Sequence, residues 1–403
     1  MSDGFWRALA SRPALQAAGL LLVLGGGPSV LGWLQGVSMP QALARARQVT
    51  DETLAQRVRV PPGFSVGVYA AELPMARMLR FTRGGHLLVS RPRFGEVTLL
   101  EADRDGDGRA NGRRALLKGL VDPHGLDIHQ GVLYVAEGDA VLRVALDEER
   151  GELRGPPERI VRGLPRGGGH WTRSLVIGPD QHLYVSIGSS CNVCRERDPR
   201  RATIMRFALD GSGGRIYASG LRNAVGMAFQ PGTGRLYATD NGRDLLGDDF
   251  PPCELNLIED GGFYGWPFAN GNRVPDPDLG AGHEREIAAS RPPVHSFPAH
   301  NAPLGLTFAR GARLPPGWQG DRVALVALHG SWNRSRKSGY KVVALHLDER
   351  GGIRQEDFLW GFLRDQDQSV SGRPVDVAIG PDGAIYVSDD HAGAIYRIAY
   401  RSN

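Results

Sequence analysis

Leu175-Val176-Ile177-Gly178-Pro179-Asp180-Gln181-His182-Leu183-Tyr184-Val185-Ser186 decides the fold. An apolar run, a Gly-Pro-Asp bend and a second apolar run make a hairpin, because proline presets φ and Asp or Gly closes the turn while β-branched and aromatic residues favour a pleated strand. Val377-Ala378-Ile379, Gly380-Pro381-Asp382-Gly383 and Ala384 to Ser388 repeat it. The second run, of the form x-Leu-Tyr-Val, comes back at His86-Leu87-Leu88-Val89, Val132-Leu133-Tyr134-Val135, Arg235-Leu236-Tyr237-Ala238 and Ala324-Leu325-Val326-Ala327, which with the two hairpins makes six copies. A third strand with alternating polarity follows each clear copy, and no sustained helical period intervenes. Without helical crossovers the units must pair as antiparallel meanders and bury their faces against one another, which a propeller does by radial repetition.

Six units predict an all-β, six-bladed β-propeller over residues 55–402, with blades at Pro61 to Glu101, Gly119 to Gly151, Gly163 to Gly211, Gly220 to Asp260, Pro303 to Gly351 and Gly372 to Tyr400. The spacing stretches between the fourth and fifth copies, and the excess at about 262–300 reads as a long functional loop insertion. A seventh blade there finds little support. The chain of 403 residues, 41% hydrophobic with 55 glycines and 27 prolines, can bury a large core and is rich in turns. Its net charge of +4 is slight, and no basic cluster interleaved with aromatics argues for a nucleic-acid partner.

Residues 1–45 read as an export signal or membrane anchor with a linker. Arg7 and Arg12 precede a stretch from Pro13 to Gln35 without a charged residue. Ala-x-Ala occurs only further on, at Ala42-Leu43-Ala44 and Ala44-Arg45-Ala46, so an uncleaved or slowly cleaved anchor, an N-terminal helix holding a periplasmic domain at the inner membrane, is favoured. Cys191 and Cys194 lack the histidine of a haem-attachment motif and the second pair of a zinc site, and read as a local loop-clamping disulfide in an oxidising compartment; Cys253 stands alone. Asp103-Arg104-Asp105-Gly106-Asp107-Gly108 begins like a calcium loop, but its twelfth position is Arg114, leaving a structural Ca²⁺ site or a plain solvated turn.

In a propeller the first strand of each blade lines the channel, and all run the same way, so the residues just before them gather at one mouth. Measured back from the repeated phrase, those positions hold His124, His170-Trp171-Thr172-Arg173, Arg222-Asn223, His300-Asn301 and Arg373. Cationic, imidazole and amide groups from five blades predict a site for an anionic ligand. A purely structural account would have His170 cap a strand and Arg222-Asn223 close a turn.

Gly169-His170 with Leu175 to Asp180, then Gly220-Leu221-Arg222-Asn223-Ala224-Val225-Gly226-Met227-Ala228-Phe229, then Glu254-Leu255-Asn256-Leu257-Ile258 with Gly261-Gly262-Phe263-Tyr264-Gly265-Trp266-Pro267, resemble the pyrroloquinoline quinone (PQQ)-dependent soluble sugar dehydrogenases. Ser189-Ser190-Cys191-Asn192-Val193-Cys194 is similar to the sorbosone dehydrogenase branch. The resemblance implies a six-bladed propeller that binds PQQ and Ca²⁺ at the channel mouth, oxidises a sugar or a sugar-derived aldehyde of the aldose or sorbosone type by hydride transfer to the quinone, and passes electrons to a quinone or cytochrome acceptor. It implies His170 as general base, Arg222 and Asn223 as residues that hold the cofactor and stabilise charge growing on it, and Arg373 as partner of its carboxylates. Gly242 and Arg243 match the pair whose backbone carbonyls bind Ca²⁺. His329 stands where the family has a cofactor-contacting lysine, His124 where it has a glutamine, Val375 where it has a second arginine and Gly169 where an acidic residue precedes the base. The alternatives are a Ca²⁺-dependent lactonase-like propeller, which would need channel carboxylates, and a non-enzymatic periplasmic propeller that grips an anion.

Overall fold

The structure, a computed structural model, describes residues 49–401. The segment read as signal or anchor lies outside the described residues, among which no helix is long and apolar enough to cross a membrane.

Six four-stranded antiparallel meanders form the blades. Their innermost strands are Leu79–Phe81, Leu126–His129, Arg173–Ile177, Ala224–Phe229, Pro303–Phe308 and Pro374–Ile379. The repeated phrase is the second strand of every blade. It is buried on both faces throughout Val323–Leu328 and Ile385–Asp389, because each face packs against a neighbouring blade. Leu183 and Val185 meet Tyr134 and Val161 of the preceding blade, and Tyr237 meets Phe308 and Val326 of the following one. Each such side chain contributes about 1.5–3 kcal/mol through removal from water.

The tyrosine of the phrase and the aspartate of the Gly-Pro-Asp bend recur together for a visible reason. Tyr184 donates to Asp180 Oδ2 at 2.9 Å, and Arg206 from the third strand binds the same oxygen at 2.7 Å and the phenol at 3.2 Å. In the sixth blade Tyr386, Asp382 and Arg397 repeat the arrangement at 3.1, 2.7 and 3.2 Å. The repeat is therefore a hydrogen-bonded corner as well as an apolar pattern.

Two predicted boundaries are corrected. Phe64–Ala70 is the outermost strand of the sixth blade, with Phe64 opposite Tyr400 and Val66 opposite Ile398, and the first blade starts at Leu79. An apolar run says that a strand forms but not which edge it pairs with; here it pairs across the ends of the chain and closes the ring. The stretch at 262–300 is not all insertion either. Gly262–Phe263 adds a parallel strand to the edge of the third blade, Glu284–Ala289 is a short helix, and His295–Phe297 is the fourth strand of the fourth blade. No seventh blade is present among the described residues.

At the channel neck the inner strands approach too closely for side chains. A Cβ on Gly226 would collide with the carbonyl of Leu304 and a Cβ on Gly305 with Asp376. Below the mouth, Val225, Leu304 and Val375 form a buried apolar collar. Gly226→Ala is expected to destabilise the protein by about 1–3 kcal/mol, the cost of overpacking, read as a lower denaturant midpoint with unchanged m-value; an unshifted midpoint would show that the neck can relax.

Candidate functional site

His170 sits three residues before an inner strand, half-buried. Its Nδ1 lies 2.8 Å from Ser189 Oγ and 3.0 Å from Ser189 O. Ser189 Oγ already donates its proton to the carbonyl of Cys191 at 2.7 Å, so both serine oxygens are acceptors and Nδ1 carries the hydrogen. The tautomer is thereby set and Nε2 keeps a free lone pair. Burial first, and the charge of Arg222 second, push this imidazole down to about 3, so it is neutral at pH 7.

Gly188 separates His170 from Asn223. A Cβ there would lie 2.5 Å from His170 Cβ and 2.9 Å from Asn223 Oδ1, so glycine lets the imidazole and the amide share one space. Asn223 Oδ1 is buried without a hydrogen-bond partner. Asp240 fixes the pair from behind, accepting from the backbone amides of Arg222 at 2.9 Å and Asn223 at 2.6 Å; burial pushes this carboxyl up to about 7. Its cross-strand neighbour Glu254 is pushed up to about 8 by burial and by Asp240.

Arg222 is buried, and its five N–H groups are all engaged within the protein. Nε donates to Asn192 O at 2.9 Å, Nη1 to the carbonyls of Asn241 at 3.3 Å and Gly242 at 2.9 Å, and Nη2 to Asn192 Oδ1 at 2.8 Å and Asp244 Oδ2 at 2.9 Å. It offers positive charge at short range and no spare donor. Arg243, beside it, turns its side chain away to Asp276 and Asp278, at 2.6 and 2.9 Å, tying the 262–300 stretch to the mouth. His300 Nε2 is 2.8 Å from Gly247 O, and its Nδ1 is 3.6 Å from Asp244, which raises its pKa.

Across the mouth, Arg373 gives Nε to His329 O and Nη2 to Gly330 O, both at 3.1 Å, and leaves Nη1 without a hydrogen bond. His329 Nε2 is 2.9 Å from Asp390, whose other oxygen is 2.7 Å from Arg77. Burial and Arg373 push His329 down to about 4, while His329 and Arg77 hold Asp390 well below the usual carboxylate range; the pair is a neutral imidazole donating to a carboxylate. His124 is fully buried, between Arg77 at 3.4 Å and Ser174 Oγ at 3.3 Å, and burial keeps it neutral. It belongs to the wall and supports Trp171, whose ring meets it edge-on at 5.8 Å.

His170, Arg222 and Asn223 thus form one half of the mouth, and Arg373 and His329 the other. Sequence reasoning missed Arg77, which stands two residues before the inner strand of the first blade and supplies that blade's mouth group; the misplaced start of the first blade hides it. It missed Ser189, Asn192 and Asp244 because they sit in loops that the repeat does not index. Cys191 and Cys194 form the expected disulfide. Among the described residues, the two groups that could gather a metal are this loop with Glu196, whose thiols are bonded to each other, and Asp103, Asp105 and Asp107.

The chain is 29% identical to an uncharacterized protein of Borreliella burgdorferi over 87% of this chain and 93% of that one. It is 25% identical to a pyrroloquinoline quinone-dependent pyranose dehydrogenase of Coprinopsis cinerea over 85% of this chain, spanning about half, 54%, of that enzyme. The solved holo form of the PQQ domain of pyranose dehydrogenase from Coprinopsis cinerea shares the fold, with a TM-score of 0.72 at 23% identity over 85% of this chain and 97% of that one. The Glucose / Sorbosone dehydrogenase family model matches residues 132–397, and the chain belongs to that family.

Proposed function

We propose that this protein is a PQQ-dependent dehydrogenase of a sugar or sugar-derived aldehyde, working in the periplasm and anchored there by its N-terminal segment. The observation that carries the reading is the imidazole of His170, locked with Nε2 free, beside the unsatisfied buried amide of Asn223. The donors open to an anionic quinone are Asn223 Nδ2 and Arg373 Nη1, while the unpartnered Asn223 Oδ1 is an acceptor. Asn223 Nδ2 and Arg373 Nη1 would contact its oxygens and carboxylates, with Arg222 and Arg77 supplying charge from behind their own hydrogen bonds. When bound, PQQ supplies the two-electron acceptor for the hydride that leaves the sugar carbon.

His170 Nε2 takes the proton of the substrate hydroxyl as that hydride departs, and Ser189 holds the ring at the angle required. Val225, Leu304 and Val375 add a buried apolar cluster where the inner strands of the fourth, fifth and sixth blades meet. Electrons then pass to a quinone or cytochrome acceptor. No cluster of mouth carboxylates supports the lactonase alternative among the described residues.

Ca²⁺ fits less well on the protein alone. Gly242 and Arg243 offer two neutral carbonyls, one of which already accepts from Arg222 at 2.9 Å, whereas Ca²⁺ takes about six to eight oxygens. The apo-protein is expected to bind Ca²⁺ no tighter than about 10⁻⁴ M, and tightly only together with the carboxylates of PQQ. Calorimetric titration with and without PQQ reads the difference, and equally tight binding in both would overturn it.

Reconstitution of the purified protein with PQQ and Ca²⁺, followed by dye reduction across an aldose and aldehyde panel, tests the function; failure to bind PQQ would refute it. The pH profile tests the base. His170 must be neutral to act, and its pKa is pushed down to about 3 before an anionic ligand raises it again. The acid limb of kcat/KM is therefore expected below pH ~6.5, the ordinary histidine value. A limb above that value would remove His170 from the role.

A further inference from the structure

The loop closed by the Cys191–Cys194 disulfide touches both the support of His170 and the guanidinium of Arg222. Asn192, inside that ring, uses every side-chain group and its carbonyl. Its Oδ1 accepts from Arg222 Nη2 and from the backbone amide of Asp244, each at 2.8 Å, and its Nδ2 donates to Asp244 O at 3.0 Å. Its carbonyl accepts from Arg222 Nε at 2.9 Å and from Trp266 Nε1 at 3.2 Å. One residue earlier, the carbonyl of Cys191 takes the proton of Ser189, the hydrogen bond that decides which nitrogen of His170 is free. Loops of the third and fourth blades converge on a ring whose cysteines are three positions apart.

We propose that Asn192 is the positioning residue of the site and that the disulfide holds it in place. A guanidinium whose five donors are all used stays where its acceptors are, and two of the five are on Asn192. Asp244, which neutralises Arg222 and pairs with His300, is bracketed at both backbone groups by the same amide. A four-residue ring leaves Asn192 few backbone conformations, so its acceptors are aimed before any ligand arrives. Its consequence for catalysis rests on the dehydrogenase reading; its consequence for Arg222 does not.

The test uses the full-length apo-protein as well as the loaded enzyme. In ¹⁵N NMR of the apo-protein, the Arg222 Nη2–H group, which donates to Asn192 Oδ1, is assigned by its absence from Arg222→Lys and is expected as a signal protected from solvent exchange. Asn192→Ala and the double variant Cys191→Ser/Cys194→Ser are both expected to lose that protection, and Asn192→Asp, which keeps an acceptor oxygen for Arg222, to retain it. With PQQ, Asn192→Ala is expected to lower kcat by about 10- to 100-fold, the range for partners that orient an active group, with a smaller change in KM. Full protection of Arg222 in Asn192→Ala would overturn the positioning role, as would loss of protection in Asn192→Asp. Full protection in the double serine variant would overturn the part given to the disulfide. If the wild type fails to bind PQQ, the dehydrogenase reading falls, while the Arg222 signals still decide the role of Asn192.

Discussion

His170→Ala is expected to reduce kcat by about 10²–10⁴-fold, the contribution of a positioned general base, while leaving the affinity for PQQ within a few-fold of wild type. The split follows from the geometry. Nδ1 is committed to Ser189, so the ring is held by the protein and not by the ligand, and its removal takes away the proton acceptor at Nε2 without removing Asn223 or Arg373. Stopped-flow reduction of the PQQ-loaded variant by an aldose reads the loss directly. Full activity in His170→Ala would end the mechanism proposed here. Ser189→Ala tells positioning from basicity: it removes one of the two acceptors of Nδ1 and keeps the backbone carbonyl that still sets the tautomer, and should lower kcat less than His170→Ala does.

Arg222→Met is expected to cost stability as well as function. It leaves five acceptors without their donor and strips Asp244 of its guanidinium partner. Removing one member of a buried pair costs about 3–5 kcal/mol. Asp244 keeps 20% of its side chain exposed and His300 beside it, which puts the expected loss near the lower end, about 3 kcal/mol. Chemical denaturation of the apo-protein measures it without reference to the cofactor. A loss below 1 kcal/mol would mean that water replaces the guanidinium easily and that Arg222 is free enough to move towards a ligand.

The fold was legible where hydrophobic pattern and turn chemistry coincide. The Gly-Pro-Asp hairpins at Pro179 and Pro381 fall in register with the observed strands because aspartate, tyrosine and a third-strand arginine close the same corner in both blades. Position before the inner strand located His170, Arg222, Asn223 and Arg373, since that is a property of chain direction alone. It could not show that Arg222 is saturated, that His124 is walled in, or that Asn192 is the hub. Those facts depend on loops meeting across blades, and no local pattern encodes such meetings. The misplaced start of the first blade has the same origin, as a strand's partner is a matter of topology and not of composition.

Closure by Phe64–Ala70 also sets when the site can come into being. Arg77 and Asp390, joined at the mouth, are separated by 313 positions, and the strand that seals their blades to each other is the first of the ring pairing with the last. Contacts of that separation form late and slowly. The wall across from His170, Asn223 and Arg222 is thus drawn from opposite ends of the propeller's sequence, and the mouth is whole only where the circle has been joined.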